Sequence, residues 1–275
     1  MTTDTIAFIG GGNMASSIIG GLCASGWPVN CIRVSDPSAS QREKLHKLYQ
    51  VPCFKSNLEC VTNANIIVLA TKPQVLKQAI KSIRDSLSQT QPLVASIAAG
   101  VTGPDILKWI GSPLPLIRVM PNTPALVNRG VSAMYANDLC SSQHKETVNH
   151  IMTAVGKTVW VNTEADIDTV TGISGSGPAY FFKLMEIMIE KAVQNGLTED
   201  DAKTLVIETA AGAAELANNS EQTPSILRKQ VTSPAGTTEA ALLSMESSGI
   251  DQVVTKGINA AIERSRELAI ILGEH

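Results

Sequence analysis

No stretch of this sequence is rich in basic residues: Lys and Arg total 22 against 25 Asp and Glu, a formal net charge of -3. Neutralising phosphates takes clustered cations, so a nucleic-acid surface is not expected and a small-molecule partner is. No apolar run reaches the roughly 18 residues of a membrane-crossing helix, so no membrane partner is expected. The start, Met1-Thr2-Thr3-Asp4-Thr5, lacks the basic residues and apolar stretch of a signal peptide, and the expected location is the cytoplasm. The cysteines Cys23, Cys31, Cys53, Cys60 and Cys140 form no C-x-x-C pair and are odd in number. Neither a zinc site nor a disulfide framework is expected, and the thiols read as reduced and mostly buried. Of the histidines, His46, His144, His150 and His275, none lies in or beside a motif described below. With no metal-ligand spacing and no G-x-S-x-G turn either, the chemistry must need little acid-base help.

What is present is a long aliphatic chain, 275 residues and 44% hydrophobic, able to bury a sizeable core. Up to about residue 160, short β-branched runs at 6–9, 32–34, 66–69, 93–97, 116–119, 131–134 and 158–161 alternate with helical patterns at 14–24, 40–49, 75–87 and 143–155. Strands feeding crossover helices predict an α/β fold with a doubly wound, Rossmann-like sheet. Beyond Thr163 only helical spacing remains, at 181–194, 200–217, 224–230, 238–247 and 253–272. The expected division is therefore a dinucleotide-binding domain over 1–162 and an all-helical domain over 163–275. The second half has few aromatics but many Ala, Gly and Met, which suits close helix packing and a subunit interface.

The first strand runs into Gly10-Gly11-Gly12-Asn13-Met14-Ala15, which fits G-x-G-x-x-G/A and opens a helix. Gly10 allows the tight turn, Gly12 lets backbone approach a pyrophosphate, and Ala15 lets the helix lie on the strand. The second strand ends at Ser35-Asp36-Pro37-Ser38. There Asp36 can accept a ribose 2′-hydroxyl or cap the next helix, while Ser35 and Ser38 offer hydroxyls to a 2′-phosphate, so NADH and NADPH both stay open. Two more loops follow strand ends: Ala70-Thr71-Lys72-Pro73, and Ser96-Ile97-Ala98-Ala99-Gly100. Arg118-Val119-Met120-Pro121-Asn122-Thr123-Pro124 reads equally as a structural loop or a nicotinamide contact. In the helical half, Gly172-Ile173-Ser174-Gly175-Ser176-Gly177-Pro178-Ala179-Tyr180 is costly in glycine and is expected to serve close packing against another chain or a ligand. Val231-Thr232-Ser233-Pro234-Ala235-Gly236-Thr237-Thr238 leads into a helix whose free amides suit a small carboxylate, or it is an ordinary capped turn.

Taken in order, these segments resemble the pyrroline-5-carboxylate reductase family along nearly the whole chain, the last two most specifically. The resemblance implies reduction of L-1-pyrroline-5-carboxylate to L-proline with NADPH or NADH, the last step of proline biosynthesis. It also implies a helical domain that dimerises by interleaving, active sites at the dimer interface, and dimers that assemble into decamers. By position, it implies that Gly10, Gly11, Gly12, Asn13, Met14, Ser35, Asp36, Asn57, Ala70, Thr71, Lys72, Pro73, Ala98 and Ala99 surround the dinucleotide. Ser233 and the amides of Gly236 and Thr237 would take the substrate carboxylate. Thr238 would meet the imine nitrogen, with Glu221 as its acidic support and Glu164 on the substrate side. The family's usual Pro-Gly-Gly is Pro234-Ala235-Gly236 here, tolerable if Ala235 keeps a negative φ. Its usual Ala-Val-Lys-Pro is Ala70-Thr71-Lys72-Pro73, which adds a hydroxyl.

A protonated cyclic imine accepts hydride readily, and that proton can arrive in water before binding. The site need only align the ring, hold its carboxylate and hydrogen-bond its nitrogen, so the lack of a histidine fits. The nearest rival, a β-hydroxyacid dehydrogenase, needs a lysine soon after a glycine-rich helix start and an asparagine one turn later. Lys183 comes too late after Gly177, and Ile187 stands where the asparagine should be.

Overall fold

The computed structural model describes residues 4–274; Met1, Thr2, Thr3 and His275 lie outside them. Eight strands form one sheet: β1 (Ile6–Ile9), β2 (Ile32–Ser35), β3 (Cys53–Phe54), β4 (Ile66–Leu69), β5 (Leu93–Ser96), β6 (Leu116–Met120), β7 (Gly130–Ala136) and β8 (Gly156–Trp160). Their order is β3-β2-β1-β4-β5-β6-β7-β8, and every pairing is parallel except β6 with β7. Side chains alternate across the pleat. Ile6 and Phe8 of β1 therefore join Ile18, Ile19, Leu22, Val34 and Ile151 on one face, while Ala7 and Ile9 join Ile67, Leu69, Leu76, Ile80 and Trp109 on the other. A sheet covered on both faces needs strands apolar throughout, and all four residues of β1 and of β4 are buried.

The crossover helices are α1 (Asn13–Ala24), α2 (Ala39–Tyr49), α3 (Asn57–Val61), α4 (Pro73–Lys81), α5 (Arg84–Thr90), α6 (Gly103–Ile110) and α7 (Ser142–Thr153). Everything after β8 is helical: α8 (Asp166–Val170), a π turn at Thr171–Gly175, α9 (Gly177–Gln194), α10 (Glu199–Asn219), α11 (Pro224–Gln230), α12 (Thr237–Ser247) and α13 (Ile250–Glu274). The chain divides into two compact units, one running to Ser176 and resuming at Ala260, the other being Gly177–Asn259. None of the described helices is long and apolar enough to cross a membrane.

Several elements depart from the sequence reading, among them α3 and α8, which left no helical pattern. The strand β3 is two residues long, paired through Val34 with Cys53 and Ser35 with Phe54, too short to leave a pattern. The helix expected over 75–87 breaks into α4 and α5 at Ser82, although Leu76, Ile80, Ile83 and Leu87 keep helical spacing and are all buried. Ser82 Oγ bonds back to the Ala79 carbonyl at 2.6 Å, a local competitor for the helix ladder. Finally, α6 starts at Gly103-Pro104 behind the Thr102 cap, where glycine and proline hide the helical period.

Candidate active site

The registers bring three loops together. Ile9 lies opposite both Ser35 and Leu69, so the carboxyl ends of β1, β2 and β4 are level. The order reverses between β2-β1 and β4-β5, the switch point where open α/β sheets bind ligands. Gly10 N donates to Ser35 O at 2.9 Å and Ala70 N to Ile9 O at 2.8 Å, extending the ladder into the loops. Gly10 has φ +101°, and a Cβ there would lie 2.7 Å from the Ala70 carbonyl oxygen, so only glycine fits. Gly12 N-caps α1 with no side chain over it, and the space where its Cβ would stand is open. The first amides of α1, from Asn13 and Met14 on, thus lie in a turn where the helix itself supplies no acceptor.

Asp36 is not the cap of the next helix. Its Oδ2 accepts the Gly11 amide at 3.0 Å and its Oδ1 the Ser38 amide at 2.9 Å, so the carboxylate clamps the glycine loop to the start of α2. The cap of α2 is Ser38, whose hydroxyl accepts from Gln41 N. Gln41 Nε2 donates to Gly11 O, and Arg42 Nη1 donates to the carbonyls of Asp36 and Pro37 at 2.7 and 3.0 Å. Neither Gln41 nor Arg42 stood out in the sequence, because both act on loops that only the fold brings near.

Ser35 is fully buried and its hydroxyl donates to Asn57 Oδ1 at 2.7 Å, leaving none for a phosphate. Asn57 Nδ2 in turn donates to Ser82 Oγ at 2.9 Å. A cavity of about 530 Å³ opens here, its wall including Gly10, Ser35, Pro37, Asn57, Thr71 and Val75. Lys55, Ser56, Leu58 and Gln78 also face it. Sequence reasoning missed them because they lie in or just before α3 and in α4, the first of which left no helical signal. Lys72 N-caps α4 through its backbone with its side chain exposed, and Pro73 is the first helical residue. Ala98 is buried with its amide 3.4 Å from Ser96 Oγ, and Ala99 is half-buried beside it.

Other expected positions also make contacts within the chain. Asn122 uses both ends of its amide, accepting from Val131 N at 2.9 Å and donating to Ser174 O at 3.1 Å, so its loop is a brace. In the glycine-rich segment, a Cβ on Gly175 would lie 2.4 Å from Met120 Cε, while one on Gly177 would meet nothing within 4 Å. Glu164 Oε1 accepts from Gly103 N at 2.5 Å and from Arg118 Nη1 at 3.0 Å, pinning the start of α6 to the end of β6. All five thiols are free, though only Cys60 is fully buried, and burial pushes it up to about 12.

In the second unit, Ser233-Pro234-Ala235-Gly236 is a β-turn closed by Gly236 N to Ser233 O at 3.0 Å. Ala235 has φ 56°, so the condition of a negative φ is not met. Proline second and a positive φ third is the type II arrangement, which favours glycine at that third place. Gly236 N-caps α12 through its backbone, which makes Thr238 the second helical residue and not a cap. With the Gly236 amide spent on the turn, Thr237 and Thr238 are left with amides that the first turn cannot satisfy. Glu239 Oε2 accepts from Ala235 N at 2.7 Å and steadies the turn. Ser233, Thr237 and Thr238 are exposed, as is Glu221 on the loop between α10 and α11. Lys183, on α9, is exposed and paired with Glu186 at 2.8 Å.

Comparison with known proteins agrees across the chain. Residues 164–268 match the family described as pyrroline-5-carboxylate reductase dimerisation, and residues 5–100 match NADP oxidoreductase coenzyme F420-dependent. A pyrroline-5-carboxylate reductase of Pseudomonas aeruginosa is 46% identical over 274 residues, covering 100% of both chains. The structure of a pyrroline-5-carboxylate reductase from Coxiella burnetii superposes with a TM-score of 0.93 at 41% identity, covering 98% of this chain and 99% of that one. A Plasmodium falciparum pyrroline carboxylate reductase with NADP bound gives 0.86 at 30% identity, with 98% and 99% covered.

Proposed function

The chain belongs to the pyrroline-5-carboxylate reductase family, and on that premise we propose which of its residues carry the reaction and where. It is an oxidoreductase that reduces the cyclic imine of pyrroline-5-carboxylate to proline with NAD(P)H, and it is a homo-oligomer. The dinucleotide, when bound, supplies the hydride.

The first unit takes the dinucleotide. What supports this most is the levelling of Gly10, Asp36 and Ala70 at the switch point, with open space over Gly12 and uncapped α1 amides suited to a pyrophosphate. Gly11, Asn13 and Met14 complete that turn, and Ala70 to Pro73 with Ala98 and Ala99 line the approach along β4 and β5. Ser35 takes part by fixing Asn57, and Asp36 by holding the Gly11 loop. Both NADPH and NADH serve: the Asp36 carboxylate accepts one amide on each oxygen and keeps acceptor capacity for a ribose hydroxyl.

In the second unit, Ser233 and the free amides of Thr237 and Thr238 hold the substrate carboxylate, and Gly236 shapes the turn that presents them. The Thr238 hydroxyl, which has no hydrogen bond among the described residues, hydrogen-bonds the ring nitrogen as it becomes an amine. Glu221 supports it. Glu164 acts on the substrate side through Oε2, its other oxygen being committed to Gly103 and Arg118. The dinucleotide-binding domain spans 1–162 and the dimerisation and substrate domain 163–275, the assembly extends beyond a dimer to a decamer, and the enzyme works in the cytoplasm, where five free thiols stay reduced.

Thr238→Ala tests the reading directly. Loss of a transition-state hydrogen bond lowers kcat/KM by roughly ten- to a thousandfold, by analogy with one oxyanion-hole donor. Titrated NADPH affinity stays the same. A mutant with near-normal kcat/KM for pyrroline-5-carboxylate removes Thr238 from the chemistry.

A further inference from the structure

The turn that leads into α12 is held closed by a residue outside it. Gly236 N donates to Ser233 O at 3.0 Å, and Ala235 N donates to Glu239 Oε2 at 2.7 Å. The second bond is not the usual helix start. In a capping box the third helical residue takes the amide of the N-cap residue, and Glu239 is the third residue of α12 with Gly236 as its N-cap. Here the Gly236 amide closes the turn, and the Glu239 side chain reaches one residue further back, to Ala235. Ala235 is also the residue of the turn with φ 56°, a conformation that glycine adopts freely and alanine does not. A charged acceptor, the stronger kind, thus holds the amide of the residue that gains most by leaving the turn.

Resting on the assignment of the substrate carboxylate to this turn, we propose that Glu239 is a positioning residue for the reaction: it holds Ala235 in the left-handed conformation and so keeps the Thr237 and Thr238 amides presented to that carboxylate. With the Ala235 and Gly236 amides engaged, the free amides begin at Thr237. Once the turn opens, Ser233 and those amides are no longer held on one turn, and the apparent affinity falls with the fraction of molecules that stay closed. Such a clamp acts on substrate binding and leaves hydride transfer at saturation unchanged. It works through its oxygen and not through its charge, because a carboxylate beside an anion site opposes the anion.

The test uses the full-length protein with Glu239→Ala, with Glu239→Gln, and with Glu239→Ala combined with Ala235→Gly. Each is assayed with pyrroline-5-carboxylate and with 1-pyrroline, the same ring without the carboxylate. One net hydrogen bond corresponds to about two- to tenfold in affinity. Glu239→Ala raises KM for pyrroline-5-carboxylate by that factor with kcat and the NADPH dissociation constant unchanged, and its kcat/KM for 1-pyrroline stays at the wild-type value. Glu239→Gln, which keeps an acceptor and drops the charge, returns KM to the wild-type value or below it. Ala235→Gly in the Glu239→Ala background recovers part of the loss. An unchanged KM in Glu239→Ala overturns the proposal, whatever its melting temperature does, and makes Glu239 an ordinary helix cap. A raised KM that glutamine does not rescue, or an equal loss with 1-pyrroline, also overturns it. Wild-type protein that reduces 1-pyrroline as efficiently as pyrroline-5-carboxylate overturns the assignment of the carboxylate to the turn itself.

Discussion

Ala235 carries φ 56° at the third place of a type II turn, where an L-residue's Cβ crowds its own backbone. Relief of about 1–2 kcal/mol from the left-handed conformation is offset by about 0.4–1 kcal/mol of extra unfolded-state freedom when glycine replaces alanine. Ala235→Gly is therefore expected to stabilise the fold by about 0.5 kcal/mol, and Ala235→Val, β-branched at the same φ, to cost more than about 1 kcal/mol. Urea midpoints of the two variants against wild type check the pair, and opposite signs are the required result. The motif around Ala235 was legible in the sequence, but its backbone angle was not, since the positive φ comes from closing the turn onto Ser233. Thr71 shows the same limit. Its extra hydroxyl could be read from the sequence, whereas its burial without a hydrogen-bond partner is visible only in the fold.

At the scale of elements, apolar runs found every strand that is covered on both faces, because such strands have no polar side to blur them. They missed β3 and α3, which are two and five residues long, and fused α4 with α5, since core spacing continues through the break. The glycine loop was equally plain, yet its tie to β2 was not. Asp36 reaches 25 positions back to the Gly11 amide, a contact that no local pattern encodes. That contact gives Asp36→Asn two effects. Oδ1 can still accept the Ser38 amide, so α2 keeps its start, but the weakened hold on Gly11 should raise KM for both cofactors. Removing a negative charge near a 2′-phosphate should also favour NADPH by on the order of tenfold in the kcat/KM ratio, the size of a charge interaction at intermediate dielectric. Steady-state kinetics with both cofactors separate the two effects. If KM rises equally for both and the ratio does not move, Asp36 is a loop clamp with no part in cofactor choice.

For the whole molecule the decisive feature is how little the second unit buries on its own. Throughout Gly177–Asn259 only Gly177, Ala202 and Val206 are buried. Phe181, Phe182, Ile187, Leu205, Leu216 and Val253 are between 51% and 69% exposed. Apolar surface on that scale does not stay in water on a stable monomer, and conformational entropy would outweigh so small a core. The helices α9 and α10 pack on each other, but a pair of helices is not a domain core. Their stability must come from a second copy, as the match to a dimerisation family requires. Folding and association are then one equilibrium, and stability depends on protomer concentration. A hundredfold rise in concentration should add about 2.7 kcal/mol to a dimer's stability and move the urea midpoint of the helical signal upward. Phe182→Glu should place a charge in the interface and lower both the assembly mass and the midpoint. Light scattering and circular dichroism across that concentration range decide the matter, and an active monomer with a concentration-independent midpoint would overturn it.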